Sequence, residues 1–137
     1  MSEQASDAPS PEEVERIGPA LIGTGDVMAM VSQCWAMCWY AAQGGNTDLA
    51  AYYLRRVRGL LRRLAAMKAK YRVQIRDFDR DHLEPASQAL MDGDAAAFRS
   101  AFQAATDQAN VYHVETGHPY IDWSLPDLPP EAGLRLS

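Results

Sequence analysis

The stretch from Val27 to Ala42, VMAMVSQCWAMCWYAA, is apolar on nearly every side of a helix, and it constrains the fold more than any other segment. A helix that is apolar almost all round has to be surrounded by other elements, so this one is expected at the centre of a core. Its sixteen residues include Gln33 and are too few to cross a bilayer comfortably, so no contact with a membrane is predicted.

Three more segments have helical patterns, and the four together predict an all-α fold, an antiparallel four-helix bundle. The helices are predicted over residues 26–43, 47–71, 79–92 and 94–115, with Asp26 and Thr47 as the N-caps of the first two. Two apolar stripes at helical spacing are expected to face the core: Leu49, Tyr53, Val57, Leu60 and Leu64 in the second helix, and Phe98, Ala101, Phe102, Ala105 and Ala109 in the fourth.

The two ends of the chain differ in character from the helices between them. Residues 1–24 are rich in proline, glycine and acids and are predicted to be a flexible leader without the features of a signal peptide. Residues 25–137 are predicted to be a single domain, whose tail, 117–137, is too rich in proline for a helix. The tail also carries many large apolar residues, so we expect it to be extended and packed on the bundle.

The charge distribution argues against a nucleic-acid binder. The net charge is −5, yet eight of the 13 bases lie between Arg55 and Arg72. This basic run is interpreted as a solvated helix face, or as one paired with the acids of the following RDFDRDHLEP. Because neither a signal peptide nor a membrane span is recognised, the sequence predicts a cytoplasmic protein.

Side chains that can bind a ligand or transfer a proton are concentrated in VYHVETGHPY, residues 111–120, where the last helix ends. His113 shares a helix face with Ala109, so it is expected to point toward the core, as a structural histidine or as a general acid, base or ligand. Tyr112 either packs as an aromatic side chain or donates a proton to a developing oxyanion. His118 follows Gly117 and either caps the end of the helix or faces a pocket.

The wall opposite His113 is predicted to come from the first two helices. Its candidate ligand-binding residues, beside His118, are Met30, Cys34, Trp35, Cys38 and Tyr53. Cys34 and Cys38 are interpreted as small buried apolar residues, because adjacent turns of one helix cannot easily form an unstrained disulfide. A metal site of these cysteines with His113 would need a fourth ligand, and no metal is predicted.

The run ANVYHVETGHPYI, residues 109–121, resembles the pattern CNACH-x-x-TGH-x-(F/Y)-I of helical c-type cytochromes related to the cytochrome c-prime group. The run CWYAAQGGNTDLAAYYL is also similar to that family, and the likeness spans residues 34–125. The resemblance implies a four-helix bundle whose last helix holds haem through two cysteines and an axial histidine. His113, Thr116, Gly117 and His118 match the pattern.

The two cysteine positions of the pattern are Ala109 and Tyr112, and neither residue can form a thioether bond to haem. The leading hypothesis is a haem-free derivative that binds a small, largely apolar molecule beside His113 without a cofactor. If it is an enzyme, His113 and Tyr112 would be catalytic in acid/base chemistry of the isomerase, cyclase or lyase type. The alternatives are noncovalent haem, held by His113 and Met28 or Met30, and an interaction module. A homodimer is expected.

Overall fold

A computed structural model describes residues 23–131 and 133–137. The predicted leader therefore lies outside the described residues, except for Gly23 and Thr24. Over the described residues the fold is all-α, as predicted, and no strand is present. Its four helices are α1, Thr24–Gln43; α2, Thr47–Met67; α3, which combines Arg72–Phe78, Asp79–Leu83 and Glu84–Asp92; and α4, Ala95–Glu115.

Helix α1 contributes more buried side chains to the core than any other described helix, although Ala29 and Gln33 on it are exposed. Eight of its side chains are buried: Val27, Val31, Cys34, Trp35, Ala36, Met37, Cys38 and Ala41. It begins after Gly23, which has an extended backbone and no side-chain cap, so the prediction that Asp26 caps this helix was wrong. Asp26 lies inside the first turn, where its carboxylate is next to the positive end of the helix dipole.

The turn from α1 to α2 depends on two residues. Gly45 has a φ of 89°, which a residue without a side chain adopts at little cost, and its N–H donates to the Ala42 carbonyl. Asn46 is the N-cap of α2, because its side chain accepts a hydrogen bond from the backbone N–H of Leu49. The cap was predicted one residue later, at Thr47, which is instead the first residue of the helix.

Helix α2 is amphipathic, and it buries the predicted stripe apart from Leu49, which packs partly buried against the core. It ends at Met67 rather than Tyr71, because the chain becomes extended at Lys68 and makes a short 3₁₀ turn, Ala69–Tyr71. On its outer face most of the arginines are exposed. Arg58 instead pairs with Asp79 at 2.7 Å and with Glu84 at 2.9 Å, so part of the basic run is neutralised by the acids that follow.

Helix α3 begins at Arg72, seven residues before the predicted start, and runs through Pro85. In its middle, Asp79–Leu83 widens into a π-helical turn, where the N–H of Glu84 donates to the carbonyl of Asp79, five residues back. A proline clashes with the carbonyl four residues before it, and the wider turn moves that carbonyl away. The helix can therefore continue through Pro85 to Asp92.

Helix α4 begins at its cap Asp94, buries Phe98, Phe102, Ala105 and Ala109, and ends near the start of the C-terminal tail. Hydrogen bonds join the tail to α4, α1 and α2. The Trp123 N–H donates to Asn110 of α4, the Tyr40 hydroxyl of α1 donates to the Pro126 carbonyl, and the Tyr53 hydroxyl of α2 donates to Glu131. This packing was expected to bury the large apolar residues of the tail, and for most of them that prediction was wrong. Tyr120 and Leu128 are 77% and 76% exposed, Ile121 and Leu125 are also exposed, and Trp123 is partly buried. Polar side chains of the helices hold the backbone of the tail, so these apolar residues need not be buried.

None of the helices within the described residues is long and apolar enough to cross a membrane.

Candidate functional site

The end of α4 fixes the geometry of the two histidines in VYHVETGHPY. Gly117 has a φ of 85°, and its N–H donates to the Val114 carbonyl, while the N–H of His118 donates to the His113 carbonyl at 2.7 Å. This pair of bonds is a Schellman motif, which needs a left-handed residue at the glycine position. His118 therefore caps the helix as predicted, but through its backbone, and His113 is the residue that it caps.

The ring of His113 is oriented by the tail that folds back over it. Its Nδ1 lies 3.1 Å from the Ile121 carbonyl oxygen. A carbonyl oxygen only accepts hydrogen bonds, so Nδ1 carries the proton and Nε2 of the neutral ring keeps a free lone pair. The ring also meets the indole of Trp123 edge-on, with centroids 5.4 Å apart. Burial lowers the pKa of His113 below its usual 6.5, although the Ile121 carbonyl opposes this shift.

His118 is held in a comparable way by Thr116. The Thr116 hydroxyl donates to the Tyr112 carbonyl at 2.8 Å, and its oxygen lies 3.2 Å from His118 Nδ1. Since the hydroxyl has only one hydrogen, His118 Nδ1 is the donor in the second contact. Both imidazole rings therefore present Nε2 as the nitrogen that is available to a ligand.

Tyr112 lies beside His113 at the end of α4, and its ring meets Phe78 of α3 edge-on, with centroids 6.1 Å apart. Burial raises the pKa of Tyr112, and the nearby carboxylate of Asp77 adds to this effect. The phenol therefore stays protonated near neutral pH. A neutral imidazole that can accept a proton and a phenol that can donate one are adjacent in sequence and share one cavity.

That cavity has a volume of about 690 Å³ and lies among α1, α2, α3, α4 and the tail. It is lined by Thr24, Gly25, Met28, Ala29, Ser32, Leu61, Leu64, Tyr71, Gln74, Ile75, Phe78, Ala109, Tyr112, His113, Thr116, His118, Tyr120, Ile121 and Trp123. No aspartate, glutamate, lysine or arginine of the described segments lines it. Its volume is in the range of small-molecule sites.

Of the residues predicted from sequence for the site, His113, Tyr112 and His118 line this cavity together. The residues predicted for the opposite wall lie elsewhere. Met30 packs partly buried against the core, and Trp35 lines a second, neighbouring cavity. Tyr53 is buried, and its hydroxyl donates to the Glu131 carboxylate at 2.8 Å.

Cys34 and Cys38 are buried free thiols in the core of α1, as predicted, and do not line the cavity beside His113. Burial raises the pKa of both thiols, that of Cys38 to about 12, so both are protonated at neutral pH. Within the described residues no cluster of three or more histidine, cysteine, aspartate or glutamate side chains could hold a metal ion.

Sequence reasoning missed the wall that α3 contributes. Tyr71, Ile75 and Phe78 follow the helical spacing of four and three and face the cavity together with Gln74. The same spacing is present in the sequence YRVQIRDF. Its charged residues and the later Pro85 nevertheless favoured a predicted helix start at Asp79. On α1 the wall consists of Thr24, Gly25, Met28, Ala29 and Ser32. The predicted Met30 and Cys34 each lie two residues after a wall residue, which places them on another face of the helix.

Comparison of the chain with protein-family models, with curated proteins and with solved structures finds no match. The function proposed below therefore rests on the geometry of the cavity.

The lowered pKa of His113 predicts a pH dependence of stability. The unfolded chain binds a proton at this residue as the pH falls below 6.5, whereas the folded chain resists it, so the free energy of unfolding should decrease below that pH. Urea denaturation between about pH 8 and pH 5.5, where most carboxylates stay ionised, measures this slope. His113→Gln should flatten the slope, whereas Ala104→Ser, at an exposed position of α4, should leave it in place. An unchanged slope in His113→Gln would assign the effect to another group.

Proposed function

We propose that this chain is an antiparallel four-helix bundle, with its C-terminal tail packed across it, that binds a small, largely apolar and uncharged molecule beside His113. Short connections support the antiparallel arrangement, because Gly44–Asn46 is all that separates α1 from α2, and Gly93–Asp94 separates α3 from α4. A cytoplasmic location and a homodimer stay predictions.

One observation carries the proposal. The cavity has a volume of about 690 Å³, and among the described residues no aspartate, glutamate, lysine or arginine lines it. Leu61, Leu64 and Ile75 supply apolar surface, whereas the hydroxyls and imidazoles gather around the end of α4. A neutral molecule with one polar end suits such a lining, because a buried charge would find no opposite charge to pair with.

The cavity also supports descent from the cytochrome c-prime-like bundle that the sequence resembles. Ala109, Tyr112 and His113 correspond to the two cysteines and the histidine of the haem-attachment motif, and all three line the same cavity. In a haem-free derivative, the space beside these positions would be free for another ligand. We propose that this chain is such a derivative.

As an enzyme, the protein would use His113 to accept a proton and Tyr112 to donate one. This pairing suits a cofactor-independent isomerisation, cyclisation or elimination. The neutral state of both groups near pH 7 follows from the lowered pKa of His113 and the raised pKa of Tyr112. Loss of turnover in His113→Ala, with an unchanged circular dichroism spectrum, would support the enzymatic form of the proposal.

Binding is tested by a panel of small neutral apolar molecules in a thermal unfolding assay. A ligand present at 100 times its Kd should stabilise the fold by about 2.7 kcal/mol. The matched variants are Ala29→Phe, which places a ring at the cavity wall, and Ala104→Phe, at an exposed position of α4 that does not line it. We expect the first variant to lose the shift and the second to keep it. Equal shifts in both variants would place binding outside this cavity.

Noncovalent haem is the second candidate, and the bond from His113 Nδ1 to the Ile121 carbonyl favours it. Histidine ligands of metals commonly donate their second N–H to a carbonyl or carboxylate, which leaves Nε2 for the metal. Met28 lines the same cavity and offers a thioether as a second ligand, whereas Met30 does not line it. Haem bound there would supply electron transfer or gas binding at its iron.

Addition of haem to the purified protein tests this second candidate. A strong absorption band near roughly 400 nm that appears with one equivalent of haem and is lost in His113→Ala would support it. His82→Ala, which removes a histidine outside the cavity, is the matched control. A band of equal strength in His113→Ala would mean that haem binds elsewhere on the surface.

A further inference from the structure

The later part of the tail, residues 124–131 and 133–137, lies in a groove along α1 that α2 and α4 flank. The groove begins beside the stacked rings of Trp35 and Phe102 and ends at the α1–α2 turn. There the backbone of Leu136 leaves no room for a side chain on Gly44. We call this surface the tail groove, and it is defined by Trp35, Met37, Tyr40, Asn46, Tyr53 and Phe102.

The tail groove holds the tail mainly by its backbone. Three groove side chains bond to backbone atoms: the Tyr40 hydroxyl to the Pro126 carbonyl, Asn46 Nδ2 to the Arg135 carbonyl at 2.9 Å, and the Met37 sulfur to the Glu131 N–H at 3.4 Å. Every residue type has a carbonyl, so a segment of different sequence could make the first two of these bonds.

Among the described residues, one hydrogen bond from the groove goes to a side chain of the tail. The Tyr53 hydroxyl, on a residue that is 2% exposed, donates to the Glu131 carboxylate at 2.8 Å. Burial raises the pKa of Cys34, Arg56 lowers it and Glu131 raises it, so the guanidinium and the carboxylate both lie near this thiol. A carboxylate suits this point of the groove, because a phenol donates to it and a cation is close by.

The tail does not fill the groove. A cavity of about 360 Å³ remains between Trp35 and Phe102 of the helices and Leu125 and Pro126 of the tail. Leu125 and Leu128 are 38% and 76% exposed, so these apolar side chains bury only part of their surface. A segment with a larger apolar side chain at the position of Leu125 would bury more apolar surface in the groove.

Trp123 is the point at which the tail is fixed before it enters the groove. Its N–H donates to Asn110 Oδ1 at 2.7 Å, and its carbonyl accepts from Asn110 Nδ2 at 3.2 Å. Tyr120, Ile121 and Trp123 itself line the cavity beside His113. The residues that follow Trp123 could therefore leave the groove while this wall of the cavity stays in place.

We propose that the tail groove is a docking site for a proline-rich, extended segment of a partner protein that carries an acidic residue, and that the chain's own tail occupies it when the partner is absent. The tail is the template for such a segment, because SLPDLPPE, residues 124–131, has three prolines and ends on the glutamate that Tyr53 binds. Proline keeps the carbonyl that a groove donor needs, and its restricted backbone loses little freedom on binding.

The peptide SLPDLPPEAGLRLS, residues 124–137, tests the proposal on the full-length protein. Binding is followed by NMR titration of the indole N–H of Trp35, which borders the groove. The tail competes with the peptide at an effective concentration on the order of millimolar. Glu131→Ala in the protein weakens the tail and leaves the groove intact, so it should raise the affinity for the peptide about tenfold. Glu131→Gln, which keeps an oxygen acceptor, should raise it less.

A double-mutant cycle locates the peptide in the groove. In the Glu131→Ala protein, Tyr53→Phe removes the hydroxyl donor, and the affinity for the peptide should fall about tenfold. For a peptide that itself carries Glu131→Ala, Tyr53→Phe should change nothing, because the acceptor is already gone. Tyr71→Phe is the matched control, since Tyr71 lines the cavity beside His113 and not the groove, and it should leave both affinities unchanged.

The unfilled space gives a second readout, since a peptide with Leu125→Phe should bind severalfold more tightly than the native peptide. Equal losses with both peptides in the cycle would place binding outside the groove and overturn the proposal. The same holds if the Glu131→Ala protein does not bind the peptide at millimolar concentration. The thermal assay with neutral molecules concerns the cavity beside His113, so its failure would overturn the proposed function and not this inference.

Discussion

Replacing Phe102 by alanine is expected to lower the free energy of unfolding by about 3–5 kcal/mol. Phe102 is 2% exposed, and its ring stacks on Trp35 with centroids 4.0 Å apart. It also contacts Trp39 at 4.9 Å and Phe98 at 5.8 Å, so one ring of α4 joins two aromatic residues of α1. Truncation leaves a void among large rings that cannot close by small shifts.

Urea denaturation followed by circular dichroism measures this loss, and two variants of α4 control it. Phe102→Leu keeps most of the volume and should lose only about 1–2 kcal/mol. Val114→Ala, at a position that is 61% exposed, should change stability by less than about 0.5 kcal/mol. If Phe102→Ala behaved like Val114→Ala, the two helices would not be joined through this ring.

Hydrophobic periodicity was sufficient to predict the type of fold. The helical spacing predicted all four buried residues of α4 and four of the seven buried residues of α2, because an amphipathic helix has one apolar face and that face is buried. The error in α3 has a local cause. A proline normally begins or breaks a helix, and whether a π-helical turn removes the clash depends on backbone geometry that residue types do not encode.

The first residue of each helix is harder to predict from the sequence than the presence of the helix. Asn46 and Thr47 are adjacent and both are good caps, so their order alone does not decide which residue has a non-helical backbone. At the start of α1 no side chain caps the helix at all, since Gly23 occupies that position. Capping preferences therefore locate a helix start to within one to three residues in this chain.

The part of the candidate site on α4 and just after it could be predicted from the sequence, whereas the part on α1 could not. On α4, the spacing of Ala109 and His113 assigned both to the inner face, and both line the cavity. On α1, nearly every position is apolar, so periodicity could not distinguish the residues that face the cavity from those that face the core. Met28 and Ser32 face the cavity, while Cys34 and Cys38 are buried in the core, and only the packing of the other helices around α1 decides this.

Placing cysteines at the two positions where the haem-attachment pattern has them, by Ala109→Cys together with Tyr112→Cys, should give a chain that holds haem covalently. In cells with a haem-attachment pathway, each thiol would add across one vinyl group of haem to form a thioether bond, next to His113. The readout is haem that stays on the chain after denaturation. It should be near stoichiometric in the double variant and absent in the wild-type chain.

Covalent attachment of haem would by itself show only that the two cysteines and His113 form a working attachment motif. The decisive measurement is therefore the thermal stability of the haem-bound variant. Ala109 and Tyr112 line the cavity, and the loss of the Tyr112 ring enlarges it, so attached haem should fill this space and raise the melting temperature by on the order of 10 °C. The matched control places the same motif on the outer face of α4, by Ser100→Cys, Gln103→Cys and Ala104→His, all at exposed positions. Haem attached there has no cavity to enter and should leave the melting temperature unchanged or lower it. If haem at the cavity were no more stabilising than haem at the surface, the result would contradict the proposed descent from a cytochrome c-prime-like bundle.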